Sequence, residues 1–173
     1  QSERSVKAAM AICDMFLKVE SARQGPIRGE SGDSRHAGEI EVLGWSWGME
    51  CEGDWYQNKA SREGGRTTIH ELLVTKRVDT ASTGLMAALR RNDPIKKAVL
   101  SVRKASGETG LDYLTVTIER GRVTSHRIVG SGSPELIEEI RFAFQKVNVE
   151  YRQQDRGGSG KGVCTFETEI DQA

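Results

Sequence analysis

Residues 36–51, HAGEIEVLGWSWGMEC, contain the strand pattern from which the rest of the chain is interpreted. Residues i and i+2 of a β-strand point to the same face of a sheet. Alternation predicts one face that ends in two large side chains: Glu39, Glu41, Leu43, Trp45 and Trp47. It predicts an opposite face that ends in small residues: Ile40, Val42, Gly44, Ser46 and Gly48. Small residues leave room for another strand, subunit or ligand, whereas we expect the tryptophans to serve the core or a subunit contact.

The composition is that of a globular protein without a dedicated nucleic-acid surface. The chain has 173 residues, for which one domain is the default, and its 36% hydrophobic content is supplemented by 19 glycines. Lys plus Arg and Asp plus Glu number 25 each, so the formal net charge is zero. Binding to phosphate backbones needs a basic excess or a basic stripe. Patches of opposite sign can still support self-association.

The cysteine pattern and the N-terminal residues bear on where the protein assembles. Three widely spaced cysteines without a CxxC motif argue against a disulfide framework or a zinc site: Cys13, Cys51 and Cys164. We expect buried free thiols and assembly in a reducing compartment. No apolar run approaches the ~20 residues of a membrane span, and Asp14 interrupts the N-terminal apolar run, so no signal peptide is expected. Residues 1–9 are interpreted as a flexible extension of a single domain at 10–173.

Short apolar segments at regular spacing predict a mainly β protein of about nine strands. The predicted strands are 13–19, the tryptophan strand within 36–51, 67–78 with Leu72, Val74 and Val78 on one face, 97–104, 111–119, 122–129, two strands within 134–151, and 163–170. Gly121 is predicted as the hairpin position between 111–119 and 122–129. Regular strand spacing of this kind is typical of an antiparallel barrel or a sandwich.

Two segments carry helical signals. Residues 83–91 are predicted as the one short helix, with Ser82 as its N-cap and residues 92–94 at its end. Helical spacing also links three apolar residues within 134–146: Leu136, Ile140 and Phe144. Because apolar and polar residues alternate in the same stretch, we favour two strands there.

Few residues have a spacing that suggests chemistry. Asp33, Ser34 and His36 could form an acid, a nucleophile and a base, but such groups on a short polar loop usually serve turns. His70 and His126 fall in predicted strands and have no partner at metal-ligand spacing. The sequence therefore predicts no catalytic, cofactor or metal site, with a catalytic role of the 33–36 loop as the alternative.

The glycine-rich and basic segments have structural explanations. GSGS at 130–133 and GGSGKG at 157–162 do not match a phosphate-binding P-loop. A small basic cluster follows the predicted helix: Arg90, Arg91, Lys96 and Lys97. Cations are favourable near a helix C-terminus, so a subunit contact or dipole pairing is preferred to nucleic-acid binding.

A set of segments stands out together by its order and spacing: DMFLKV at 14–19, GESGDSRHAGEIEVLGWSWG at 29–48, LLVTKRVDTAS at 72–82, KKAVLSVRKASG at 96–107, YLTVTIE at 113–119, GSGS at 130–133, FAFQKVNVEYRQQD at 142–155 and GGSGKGVCTFETEID at 157–171. Taken together, these segments are specific, and they resemble the hemolysin-coregulated protein (Hcp) family, the tube protein of type VI secretion systems. The chain departs from the family pattern in its basic helix end, ALRRNDPIKK at 88–97, and in the aromatic residues of the loop at 52–66.

The resemblance implies an antiparallel β-barrel with one short flanking helix, assembled into six-membered rings that stack into a tube. It implies a structural, non-enzymatic role and carriage of small effectors in the ring lumen. The extended loop at 52–66 is expected at a ring-stacking or subunit contact: Trp55, Tyr56, Gln57, Asn58 and Lys59. The family's Trp-Ser-Trp element maps to 45–47, so Ser46, with Gly44 and Gly48, is expected to border the lumen.

The resemblance also implies partners and a location. The partners are further copies of the chain, a spike protein of the valine-glycine repeat family, the contractile sheath and small secreted effectors, with no nucleic acid and no membrane insertion. Assembly is expected in the bacterial cytoplasm, followed by secretion without a signal peptide. The alternatives are an effector toxin that uses Asp33, Ser34 and His36, or a phage-tail-like tube subunit.

Overall fold

The computed structural model describes residues 13–51, 67–104, 110–154 and 160–170. Within them the elements are β1 (Cys13–Ser21), β2 (Gly25–Ile27), β3 (Ile40–Ser46), β4 (Met49–Cys51), β5 (Thr67–Ile69), β6 (Leu72–Arg77), α1 (Ser82–Arg91), β7 (Ile95–Lys104), β8 (Asp112–Val129), β9 (Ile137–Ala143), β10 (Lys146–Gln154) and β11 (Gly160–Glu169). The prediction of a mainly β protein with one short helix is confirmed. The described strands number eleven rather than about nine.

Six antiparallel strands close a barrel in the order β8-β7-β1-β3-β6-β9. Strand β8 closes it, because its 18 residues are enough to pair with β7 through the first half and with β9 through the second. Alternate side chains point inward, and several are fully buried: Leu17, Ile40, Leu72, Leu100, Ile118, Ile140 and Phe142. Because the six strands pair in a closed cycle, each of them has a neighbouring strand on both sides.

Strands β10 and β11 extend the sheet beyond the barrel and are called the wing. Strand β10 pairs with β8, and β11 pairs with β10. Val147 at the base of the wing is fully buried, and Ile170 packs against the core. Two smaller pairings complete the sheets, β2 with β1 and β4 with β5.

The hairpin predicted at Gly121 is wrong, because β8 runs through this position without a turn. Gly121 lies opposite Ile95 of β7. Arg120, with φ of +51°, bends the strand where its pairing passes from β7 to β9. A Cβ at position 121 would lie 2.6 Å from the carbonyl oxygen of Ala143, so glycine serves a close approach of two backbones.

The strand predicted over 67–78 is divided into β5 and β6. Leu72 and Val74 point into the barrel as predicted. The next inward position belongs to Lys76, which is fully buried, whereas Val78 lies beyond the strand and is 37% exposed. The hydrophobic pattern therefore assigned the third inward position to the wrong residue.

A buried polar cluster surrounds Lys76 and joins β6, β8, β9 and α1. The Lys76 ammonium pairs with Glu138 and with Asp79 (2.8 Å), and it donates to Ser82 Oγ (3.2 Å). Glu138 also accepts from Ser82 Oγ (2.8 Å) and contacts His126 Nε2 (2.7 Å). Burial by itself raises the pKa of Glu138, but the hydrogen bonds from Lys76, His126 and Ser82 outweigh it and hold that pKa below its ordinary value.

The helix lies where it was predicted, but Ser82 is its first residue rather than its cap. The Ser82 hydroxyl belongs to the buried polar cluster. Asp79 holds the turn that leads into the helix, because its carboxylate accepts from the backbone N–H of Ala81 (2.9 Å) and its carbonyl from that of Ser82 (3.1 Å). Asn92 ends the helix in the left-handed conformation and donates its N–H to the Leu89 carbonyl (3.1 Å).

The alternation predicted along the tryptophan strand is broken by a β-bulge at Leu43. The register passes from Val42 opposite Lys76 to Gly44 opposite Thr75, which leaves one extra residue in β3. Trp45 consequently packs against the core on the side of Val42. The sequence analysis placed Trp45 on the same face as Glu41 and Leu43, and this prediction is wrong. Glu41 and Leu43 are exposed, whereas Trp45 packs against the core.

The preference for two strands over a helix within 134–146 is confirmed by β9 and β10. Phe144 in the turn between them is buried, and the Gln145 N–H donates to the Glu119 carbonyl (3.2 Å). Leu136, which completed the helical spacing, precedes β9 and is 47% exposed. The helical spacing was thus a coincidence of two alternating strands.

The prediction of buried thiols is wrong. All three cysteines are exposed: Cys13, Cys51 and Cys164. The Sγ atom of Cys13 lies 3.6 Å from the Tyr113 hydroxyl. Cys164 lies opposite Tyr151 on the wing.

Replacing Lys76 by methionine should lower the free energy of unfolding by about 3 kcal/mol, because it leaves the Glu138 carboxylate buried without its main partner. Urea denaturation measures this loss. Lys97→Met, at an exposed position of β7, is the control and should change stability by less than about 0.5 kcal/mol. The double variant Lys76→Met with Glu138→Leu should recover most of the loss; a double variant as unstable as the single one would contradict this account.

Candidate functional site

The segment that ends β3 presents small residues to open space. Ser46 is exposed, and no atom lies within 4 Å of where a Cβ of Gly44 or Gly48 would be. Trp45 and Trp47 are partly buried and pack against the core. The prediction that the tryptophans serve the core is confirmed, and the neighbouring small residues leave a recess at the surface.

A cavity of about 460 Å³ lies beside this segment. Besides Ser46, Trp47 and Gly48, it is lined by three polar residues of other strands and turns: His70, Glu71 and Arg141. Glu71 accepts from the Thr124 hydroxyl (2.8 Å), and His70 Nε2 lies 3.2 Å from Glu50. The Ser46 hydroxyl has no hydrogen-bonded base among the described residues, which is what nucleophilic catalysis would need. The recess offers polar contacts and space.

The 33–36 loop is held in place by structural contacts. Asp33 Oδ1 accepts from the backbone N–H groups of Arg35 (2.9 Å) and His36 (3.2 Å), which is the geometry of a turn. The Asp33 carboxylate also pairs with Arg103, which reaches Asp14 (3.3 Å) on β1. The hydrogen bond from the Arg103 side chain, followed by that from the Arg35 backbone, holds the pKa of Asp33 far below its usual range.

His36 is buried and both of its ring nitrogens face carboxylates. Nδ1 lies 2.9 Å from Glu39 and Nε2 lies 3.1 Å from Asp112, while the ring stacks on Phe16 with centroids 4.4 Å apart. Ser34 is exposed. Since both nitrogens have other partners, the imidazole is not placed to accept a proton from Ser34. The structure therefore does not assemble the acid, nucleophile and base of the enzymatic alternative.

The remaining predicted features carry no assembled chemistry in the described residues. His70 pairs with Glu50 at the surface, and His126 belongs to the buried polar cluster. No group of three or more His, Cys, Asp or Glu side chains in the described ranges could hold a metal ion. None of the described helices is long and apolar enough to cross a membrane. The predicted loop residues lie outside the described part of the chain: Trp55, Tyr56, Gln57, Asn58 and Lys59.

The basic cluster predicted at the helix end does not form one site. Arg91 pairs with the buried Asp93 (2.9 Å). Burial raises the pKa of Asp93, but the hydrogen bond from Arg91 and neighbouring interactions lower it overall. Lys96 lines a separate cavity with Arg120 and Arg122, an arrangement that the sequence analysis missed because the arginines come from another strand.

The wing carries an exposed apolar face. Phe166 lies opposite Val149, and Cys164 lies opposite Tyr151. Phe166 and Tyr151 are 44% and 46% exposed, and β11 pairs only with β10 among the described strands. The sequence analysis predicted a strand at 163–170 but did not single out this surface, although alternation in both strands carried the signal.

Comparison with known sequences places residues 16–151 in the family described as type VI secretion system effector, Hcp. Over 154 residues the chain is 35% identical to protein hcp1 of Pseudomonas aeruginosa. The matched region covers 88% of this chain and 91% of that protein. The family match includes the 33–36 loop, the helix and the barrel strands from Phe16 onward.

Comparison with solved structures gives the same result. A type six secretion system protein superimposes with a TM-score of 0.82 at 26% identity, over 92% of this chain and 96% of the other. Hcp1 from Salmonella typhimurium superimposes with a TM-score of 0.71 at 29% identity, over 92% and 95% of the two chains. The barrel, the wing and the helix thus belong to one shared architecture.

Proposed function

This chain belongs to the Hcp family of type VI secretion systems, and we propose that it is a structural subunit of the secretion tube. Six copies close a ring, and the rings stack into a tube that is secreted together with its cargo. The protein acts by assembly and not by catalysis. Support comes from the family match over most of the chain and from a surface suited to self-association.

The wing is the observation that carries this proposal. In an isolated chain the side chains of Phe166 and Tyr151 are nearly half exposed. They lie beside the edge of β11 that pairs with no other described strand. Covering apolar surface with a second copy contributes about 25 cal/mol per Å² of apolar area. A contact between the wing and a different surface of the next copy repeats by rotation, and such a heterologous contact closes into a ring when six rotations complete a full turn.

The lumen is assigned to the recess at the end of β3. Ser46, with Gly44 and Gly48, borders it, and the space beside the glycines gives the wall room for side chains of a carried effector. The ring-stacking contact is assigned to the 52–66 loop through Trp55 and Tyr56. Aromatic side chains on loops commonly supply contact surfaces.

The further partners follow from the tube role. They are the spike protein of the valine-glycine repeat family at the tube tip, the contractile sheath around it and small effectors inside it. Assembly takes place in the bacterial cytoplasm, and export through the apparatus requires no signal peptide.

Phe166→Asp should break the ring while the barrel stays folded, because it places a charge in the centre of the apolar wing face. Light scattering should give the mass of a ring of six for the parent and a smaller mass for the variant, with unchanged circular dichroism. Thr165→Asp, on the opposite face of the same strand, is the control and should keep the ring mass. A Phe166→Asp variant that retains the ring mass would place the contact elsewhere.

Replacing Trp55 and Tyr56 together by alanine should shorten or abolish stacks and leave single rings intact. Negative-stain microscopy at the same protein concentration as the parent shows both states directly. Loss of the rings themselves would assign the loop to the contact within a ring instead of the contact between rings.

Ser46→Trp should expel cargo without changing the ring mass, because a bulky side chain fills the recess. Small effectors of the same secretion system, co-expressed with the chain, should no longer co-purify with the ring. Ser34→Trp, at another exposed serine, is the matched control and should retain them. Undiminished co-purification with Ser46→Trp would place the cargo-binding surface elsewhere.

A further inference from the structure

A second cavity, of about 440 Å³, lies where β7 begins, β8 bends and the turn between β9 and β10 approaches. Four side chains that can donate hydrogen bonds line it: Lys96, Arg120, Arg122 and Gln145. We propose that this cavity binds a tetrahedral oxyanion of the phosphate class. The proposal concerns the single chain and does not depend on ring assembly.

Two cations from neighbouring strands line this cavity together. Ile95 lies opposite Gly121 and Lys97 lies opposite Glu119, so Lys96 and Arg120 occupy the positions between these two pairs. Like charges opposite each other on neighbouring strands are destabilising. Arg122 adds a third positive charge to the lining of the same cavity. An anion between the three would convert this repulsion into attraction.

The positive charges of the cavity are poorly compensated by the protein. In the described part of the chain neither Lys96 nor Arg122 forms an ion pair, and Arg122 donates only a long hydrogen bond to the adjacent Gly121 carbonyl (3.4 Å). Arg120 lies 3.6 Å from Glu169, but both side chains are more than half exposed. Exposed pairs of this kind contribute little to stability, so an incoming oxyanion can displace Glu169.

The backbone at Arg120 is strained. Its φ of +51° lies in the left-handed region, which is unfavourable for a residue with a side chain and favours glycine or asparagine. Strain of this kind is typically retained where a function needs the side chain. An arginine in a position suited to glycine therefore indicates that its guanidinium is used at this cavity.

The donor set matches the chemistry of phosphate. Guanidinium groups bind two oxygens of a phosphate at once, and a lysine ammonium adds a point charge. The Gln145 amide supplies two further N–H donors without charge. The three cations outnumber the one carboxylate paired to them, Glu169, which favours an oxyanion with more than one negative charge.

Calorimetric titration of the full-length protein with inorganic phosphate, at constant ionic strength set by chloride, tests the proposal. One saturable site per chain is expected. Glycerol 3-phosphate is titrated in parallel to distinguish the free ion from a phosphate monoester. If only inorganic phosphate binds, the site takes the free ion; if both bind, it also takes a monoester. Either result supports the proposed site. A phosphate titration that gives the same heat as a titration with chloride would overturn the proposal.

Variants assign the binding to this cavity. Arg122→Gln should weaken phosphate binding about tenfold, as expected for loss of a hydrogen bond between charged groups, and Glu169→Gln should strengthen it by removing the competing carboxylate. Arg90→Gln, an exposed cation in the last turn of α1, is the control and should bind like the parent. Equal affinity of Arg122→Gln and Arg90→Gln would overturn the assignment.

A variant that separates function from folding is Arg120→Gly. Glycine adopts a positive φ without steric cost, so this protein should melt at a higher temperature than the parent while binding phosphate more weakly. These opposite changes cannot arise from partial unfolding. A variant that melts higher and binds phosphate like the parent would remove Arg120 from the site.

Discussion

The buried ion pair between Lys76 and Glu138 is the polar constraint that β6, β8, β9 and α1 share. The two residues lie directly opposite each other on β6 and β9, and both are fully buried. Removing an ion from water costs several kcal/mol, and only well-placed partners offset that cost. A shift of one residue in one direction would place Ile137 opposite Lys76 and leave the ammonium without its main partner. A shift in the other direction would place Glu139 there but turn the buried Ile140 and Phe142 of β9 away from the core. The pair therefore adds to the hydrophobic pattern in stabilising one register.

The same cluster places the helix and the last part of β8. Ser82 at the start of α1 donates to Glu138, and His126 on β8 contacts the other carboxylate oxygen. A helix of ten residues is too short to be stable alone, so its position relies on this anchor and on the burial of Leu85 and Ala88. Barrel closure and helix docking thus share one set of polar contacts.

Local alternation was enough to predict most of the fold, and it failed where a distant strand determines the role of a residue. Alternation identified β1, β7, β9, β10 and β11, and it placed the tryptophans near the core. Alternation could not show that the backbone of β9 passes close to Gly121. Nor could it show that Lys76 has a buried partner 62 positions later in the chain. The bulge at Leu43 likewise depends on the register with β6.

Of the two candidate sites, one could be predicted from a single strand and the other could not. The recess at Ser46 was predictable because small residues recur within a single strand. The cavity at Lys96 was not, because the arginines that complete it come from β8, and only pairing between strands brings them together. The catalytic alternative illustrates the reverse error, because closeness in sequence does not bring its three residues together. Asp33 pairs with Arg103, His36 contacts Glu39 and Asp112, and Ser34 is exposed.

The long strand β8 has a mechanical consequence for the wing. Residues 114–119 of β8 pair with β7 on one side and with β10 on the other, so the wing is bonded side by side to a strand of the barrel wall. A pull along the strand direction stretches all the hydrogen bonds between β8 and β10 at once, whereas a pull across the sheet separates them one after another. The wing therefore resists force along the strands far better than force that peels it from the barrel.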